Sequence, residues 1–425
     1  MDNMFQGLKK RFMQFLLWSQ KYTKTDMLYL AHGGLWLTLG QGVSSLSTLA
    51  LAVAFANLVP PETYGTYKYL LSIAGVFAIF TLPGMNTALA RAVAQGHEGL
   101  IHSVTRSRVM HSFLGSIVAL AGSSYYFLNN NLELSLALLI IAATLPVFDT
   151  ANGYLSYLLG KRRFDLQTTY HMLTQIISIS ILIVTIFFTH NIVLILLAYF
   201  VPLILVRGFL YFHITRTISK NEAGVDTIKE THTYGKHLTA MQILGAISGN
   251  IDKILLWKFL GPAQLAVYAF AVAIPEQIYG PLKGMSNIML PKYAVHASTE
   301  TRRPPQNFWY KFLLYTSLLG IISLVYIAVA PLLFHTLFPS YTESIFFSQI
   351  LALSLFTGAQ TMPATLLTAQ KRAKTQYVLT IVRSATQLMM FIVLIPMFGI
   401  MGAIVATIIT NVVGVVSTII AIMIK

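Results

Sequence analysis

The chain contains no cysteine, which excludes a disulfide framework, a thiolate metal site and a cysteine nucleophile. Charge is scarce as well: 10% of residues are Asp, Glu, Lys or Arg, against roughly 25% in an ordinary soluble domain. Acids are the rarer sign, 14 against 29 bases. The signatures of soluble catalysis are missing. There is no Gly-rich phosphate loop ending in Lys-Ser/Thr, no His-Glu-x-x-His and no serine-centred nucleophile elbow. The eleven histidines are scattered, and His232 with His237 is too loose a pair for a metal site. No cofactor is expected. Without a nucleotide site, any uphill movement that the chain performs must draw on an ion gradient or the membrane potential.

What the chain has is apolar length. It is 56% hydrophobic, more than a water-soluble core can hide, and at ~20 residues per helical crossing it divides into about twelve spans. These are read at 28–58, 66–90, 108–128, 132–159, 166–188, 191–214, 236–259, 262–290, 309–334, 343–369, 376–396 and 399–424. Of the 29 Lys and Arg, 26 fall in the N-terminal arm, at Lys425, or in and around every second connection. The exceptions are Lys68, Lys253 and Lys258. Short cytoplasmic loops collect Lys and Arg, so both termini are expected in the cytoplasm. The net charge of +15 therefore reads as topology and attraction to anionic lipid head groups, with no nucleic acid implied.

The connections fall into two classes. Pro60-Pro61-Glu62, Asn129-Asn130-Asn131, His190-Asn191, Gly261-Pro262, Pro339-Ser340-Tyr341 and Phe398-Gly399 are short and free of bases. The others hold Arg106 and Arg108, then Lys161-Arg162-Arg163, the polar stretch Thr215 to Lys236, Arg302-Arg303, and Lys371-Arg372 with Lys374. The arm at 1–27 is no cleavable signal. Phe5, Leu8, Phe12, Phe15 and Leu16 recur at helical spacing beside Lys9, Lys10 and Arg11, which predicts an interfacial amphipathic helix. Residues 28–214 and 236–425 form six-span halves joined by a cytoplasmic linker at 215–235.

A weak internal repeat supports the division. "LVPPETYGTYKY" (58–69) is similar to "FLGPAQLAVYAF" (259–270), "GMNTALARAVA" (84–94) to "GMSNIMLPKYA" (284–294), and "LLGKRRF" (158–164) to "TAQKRAK" (368–374). Six spans per half is an even number, so both halves enter the membrane in one orientation and relate by an axis along its normal. The expected fold is an all-α polytopic membrane protein of two six-helix lobes.

The run "LVPPETYGTYKYLLSIAG", the "GMNTALARAVA" after it, and "NIDKILLWKFLGPAQLAVYAFA" leading to "LPKYA" resemble the bacterial polysaccharide flippases, translocases of O-antigen and capsule repeat units. These belong to the multidrug/oligosaccharidyl-lipid/polysaccharide exporter (MOP) superfamily. The resemblance covers the whole chain in length and span count, through short motifs. It implies a V-shaped cavity between the lobes and alternating access for an oligosaccharide on undecaprenyl pyrophosphate in the bacterial inner membrane. It also implies a polysaccharide polymerase and a chain-length regulator as partners, beside the lipid-linked glycan and membrane lipids.

Ionisable groups at bilayer depth are costly and mark candidate sites. Asp149 lies in span four, on one stripe with Asn152, Ser156 and Gly160. Glu276, the deepest acid, lies in span eight with Tyr279, Lys283 and Asn287 on its face. Span seven has Gln242, Gly245, Gly249 and Asp252 on one face, with Lys253 and Lys258 nearer its end. Span eleven aligns Thr380, Arg383 and Gln387, span one Trp36, Gly40, Ser44 and Ser47. Arg207 and Arg91 stand near the inner ends of spans six and two. Other readings exist: Arg91, Arg207, Lys283, Lys68 and Lys258 are near enough to span ends to snorkel, and Asp149 and Asp252 can pair with a neighbouring base or cap a backbone break. Glu276 and Arg383 need a cavity.

Three functions follow: a flippase for an anionic lipid-linked oligosaccharide, an antiporter of cationic drugs, or a non-transporting assembly protein such as a polymerase partner. An anionic pyrophosphate needs bases and a cationic drug needs acids. Arg91, Arg207, Lys253, Lys258, Lys283 and Arg383 outnumber Asp149, Asp252 and Glu276. The near-loopless outer face, whose connections are all short, disfavours the assembly protein. The expectation is a flippase in which Arg383, Lys283 and Arg91, with Arg207 and Lys258, hold the head group. Glu276, with Asp252 and Asp149 in reserve, carries protons.

Overall fold

The computed structural model describes residues 27–218, 224–299, 304–370 and 372–423; the arm expected at 1–27 lies outside these up to residue 26. Twelve helical crossings appear among the described residues. They are α1 (Met27–Leu58), α2 (Pro61–Phe77 and Gly84–Ala94), α3 (Leu100–Leu128), α4 (Leu132–Phe148 and Gly153–Gly160), α5 (Phe164–Phe188) and α6 (Ile192–Thr215). The second half follows as α7 (Val225–Ser248 and Ile251–Leu260), α8 (Pro262–Thr299), α9 (Phe308–Leu337) and α10 (Ser344–Ala352 and Thr361–Ala369, joined by a 3₁₀ stretch). Ala373–Met423 is continuous but broken at Gly399, whose φ of 57° only glycine adopts without strain; α11 precedes the break and α12 follows it.

The chain turns sharply at the short-loop face because residues there cap the helices that follow. Asn131 and Asn191 accept hydrogen bonds from the backbone N–H groups that open α4 and α6. Pro61 and Pro262 sit first in α2 and α8, where a missing N–H costs nothing. At the opposite, basic face, α7 begins at Val225, so the stretch 225–235 expected as linker is the first part of α7.

The two lobes repeat one another in detail. Ser116 of α3 donates to the Ala142 carbonyl of α4 at 2.7 Å, and Ser323 of α9 donates to the Ala352 carbonyl of α10 at 2.6 Å. Both α4 and α10 are interrupted by 3₁₀ turns, at Thr150–Asn152 and Leu353–Gln360. In the apolar medium, the backbone groups freed by such a break need internal partners.

The lobes meet through α1 and α2 on one side and α7 and α8 on the other. Contact is close enough to exclude side chains in both segments of α2. A Cβ on Gly65 would stand 1.8 Å from the Pro262 carbonyl oxygen, and one on Gly84 2.6 Å from that of Gly235. The first contact lies toward the short-loop face, the second toward the basic face.

Candidate functional site

A cavity of about 610 Å³ opens among α1, α7, α8, α10, α11 and α12. It continues into a narrower space of about 100 Å³ between α1 and α2 of the first lobe and α7 and α8 of the second. Thr48, Lys253, Tyr268, Val272, Glu276 and Gln277 line both parts. The break before Ile251 positions one of its charged walls, and Pro275 lines another. The break at Gly249 and Asn250 places Asp252 in the first turn of the outer half of α7, where the helix dipole favours a carboxylate.

Asp252, 6% exposed, accepts a hydrogen bond from Tyr268 Oη at 2.8 Å and pairs with Lys253 Nζ at 3.2 Å. Arg383 of α11 donates to Asn411 Oδ1 of α12 at 2.9 Å, which steadies one edge of the guanidinium. Lys68 of α2 stands 5.3 Å from the centre of the Tyr64 ring. Glu276 is exposed to the cavity and, among the described residues, makes no hydrogen bond or ion pair. Since Asp252 and Lys253 compensate one another, the remaining charges are Lys68 and Arg383 against Glu276. The wall is thus net positive by one charge with Glu276 ionised and by two with it protonated. Arg383 offers the wide part parallel N–H donors that suit phosphate oxygens, and Lys68 offers the narrow part a point charge.

Of the residues expected at the site, Arg383, Glu276 and Asp252 come together here, and Lys253 joins them. The side chain of Lys283 lies outside the described residues. Four others are placed elsewhere. Asp149 is ion-paired with Arg108 at 2.6 Å inside the first lobe. Arg207 donates to the Phe148 carbonyl at 2.8 Å and lies 5.0 Å from the Phe148 ring centre. Arg91 stacks on Tyr234 at the basic face, in a surface groove with Asp226, Lys229 and Glu230. Lys258 is exposed at the other end of α7, above the Phe259 ring. The excess of bases over acids is therefore three to two in the cavity wall among the described residues, smaller than the sequence implied.

Arg108 is the residue that sequence reasoning misplaced. Counted with the loop bases, it has no exposed surface. Its Nε donates to the Thr81 carbonyl at 2.8 Å, Nη1 to Asn86 Oδ1 at 2.8 Å, and Nη2 to the Asp149 carboxylate. Thr81 Oγ1 donates to that carboxylate as well, at 2.7 Å. Arg108 and Arg207 thus satisfy backbone carbonyls at the breaks of α2 and α4. A signal existed: Arg108 follows Leu100 by eight residues and Asp149 precedes Gly160 by eleven, so base and acid lie at similar depth from the basic face.

The fold is that of the MOP transporters. It aligns with the lipid II flippase MurJ in an inward closed conformation at a TM-score of 0.63, with 16% identity over 92% of this chain and 87% of that one. It also aligns with a MOP superfamily transporter from Pyrococcus furiosus, whose binding pocket is described as reversed in polarity, at a TM-score of 0.58. That match has 13% identity over 93% of this chain and 95% of the other. In sequence, the chain is 23% identical over 402 residues to an uncharacterised membrane protein of Methanocaldococcus jannaschii, spanning 87% of this chain and 93% of that protein. Residues 30–282 match the polysaccharide biosynthesis protein family. The chain is a multi-pass membrane protein and belongs to that family.

Proposed function

We propose that the protein is a flippase, moving an oligosaccharide linked through pyrophosphate to a polyprenol carrier from the cytoplasmic to the outer leaflet by alternating access. In a bacterium the carrier is undecaprenyl pyrophosphate and the cargo an O-antigen or other surface-polysaccharide repeat unit, crossing the inner membrane with both termini in the cytoplasm. The observation that carries this reading is a continuous cavity with Lys68 of the first lobe in its narrow part, Arg383 of the second lobe in its wide part, and a single unpaired acid, Glu276, lining both. A pyrophosphate diester bears two negative charges. Protonation of Glu276 leaves two positive charges to meet them, so cargo binding and proton uptake favour one another. A cationic drug would need the reverse excess.

The test is genetic and direct. Cells lacking the protein should accumulate lipid-linked glycan on the inner leaflet, and Arg383→Ala should reproduce that defect with the protein still in the membrane. Arg383→Lys, which retains charge without the paired donors, should restore part of the export. Full export by the Ala variant would remove Arg383 from the binding site, and no accumulation in the deletion would contradict the flippase reading.

A further inference from the structure

Toward the short-loop face, the lobes are joined by aromatic rings from both. Phe55, Tyr64 and Tyr67 of the first lobe meet Phe270, Phe338 and Tyr341 of the second. Tyr64 stacks on Phe270 at 4.5 Å between ring centres, and Phe270 lies 4.1 Å from Tyr341. Beside them Tyr69 stacks on Trp257 at 4.1 Å, again across the lobes.

A belt serving only as a seal would be built from Phe and Leu. This one contains polar atoms that the closed arrangement does not use. Tyr64 and Tyr67 are each 2% exposed and line the narrow space, yet neither hydroxyl has a hydrogen-bond partner among the described residues. Tyr341 Oη and Trp257 Nε1 are buried without a partner as well. Buried donors are normally satisfied, and leaving one unmet is costly. Two such groups, beside two tyrosines that line the narrow space with their hydroxyls unpartnered, point to a second state in which something meets them. Flat rings with hydroxyl and indole N–H groups at their edges suit a ligand with apolar faces and hydroxyl rims, which is a sugar.

We infer that the aromatic belt is a carbohydrate subsite, entered by the glycan of the cargo as the lobes part at the short-loop face, with Tyr64 and Tyr67 hydrogen-bonding sugar hydroxyls. This rests on the flippase reading and adds to it: the pyrophosphate is held by the charged cavity, and the sugar next to it by the belt. The narrow space is contiguous with the charged cavity through Glu276 and Lys253, so one molecule can reach both. The close approach of Gly65 to Pro262 lies at the same end of the lobe interface. Its separation is the movement that would widen the space to admit a ring.

The experiment compares two probes of equal charge with the full chain in lipid nanodiscs: a farnesyl pyrophosphate diester of N-acetylglucosamine, and the same diester with methyl in place of the sugar. The unaltered protein should bind the sugar probe about tenfold more tightly, the worth of about one well-made hydrogen bond. Tyr64→Phe combined with Tyr67→Phe keeps the rings and the seal. It should erase that difference while leaving the affinity for the methyl probe unchanged. Equal affinity of the two probes for the unaltered protein, or a tenfold difference surviving in the Phe variant, would overturn the subsite. If neither probe binds the unaltered protein, the flippase reading falls and takes the subsite with it. Binding of the methyl probe alone leaves that reading standing and rejects the subsite.

Discussion

Arg108 and Arg383 both sit in membrane-embedded helices and do different work, which their partners reveal. Arg108 is wholly buried and saturated by Thr81, Asn86 and Asp149, whereas Arg383 is half-buried, tied by Asn411 and open to the cavity. Removing one partner of a buried ion pair costs about 3–5 kcal/mol. Arg108→Ala should therefore lower the thermal unfolding midpoint in detergent sharply, and Arg108→Met with Asp149→Leu should recover much of it. Arg383→Ala should leave the midpoint near that of the unaltered protein. An Arg108→Ala variant as stable as its parent would contradict the assigned role. Glu276 is tested by Gln: a proton carrier fixed in its neutral form should bind cargo and turn over poorly, while a structural acid should lose stability together with transport. Sequence depth alone named Arg383, Glu276 and Asp252. It set Arg383 and Glu276 apart as needing a cavity but did not separate Asp252 from Asp149, because whether a deep charge is paired depends on a residue 41 positions away.

At the scale of elements, the span count and the two halves were legible because hydrophobic length and the alternation of bases are one-dimensional signals. The interruptions were not. In α2 the chain passes through a 3₁₀ turn, and Leu82 takes φ 54° before the second half begins, bent by 46°. Pro83 follows the turn, and the Thr81 carbonyl that the break frees is met by Arg108 of another helix. The glycine contacts of α2 are likewise tertiary facts, and they give opposing predictions. Gly65→Ala should disfavour the closed short-loop face, and Gly84→Ala the closed basic face. Since the chain has no cysteine, a single Gln387→Cys reports the cavity without background. Labelling by an impermeant thiol reagent from the short-loop side should speed up with Gly65→Ala and slow with Gly84→Ala. Equal rates in both variants would show that these contacts do not set the equilibrium between states.

The whole molecule is built from two similar lobes yet uses them unequally. Polar stripes on helices of both halves led to the expectation of a shared cavity. The first lobe supplies α1 and the outer half of α2 to its wall, and the second supplies α7, α8, α10, α11 and α12. The equivalent deep charges of the first lobe, Arg108, Asp149 and Arg207, are spent on holding its broken helices together. A repeat seen in sequence predicts equivalent backbones, and it is silent on which copy keeps its charges free. Under the proposed function, alternating access would be the first lobe, with α2 stiffened by Arg108, rocking against the second, with Lys68 and Arg383 offered to the anion from either side. The most direct test is leaflet translocation by the purified protein in vesicles loaded on one side with a polyprenyl-pyrophosphate-linked oligosaccharide and subjected to an imposed pH gradient. The glycan should become accessible on the opposite side at a rate that rises with the gradient, is lost in Arg383→Ala, and loses its gradient dependence in Glu276→Gln. Vesicles in which the unaltered protein moves no glycan with or without the gradient would contradict the flippase reading.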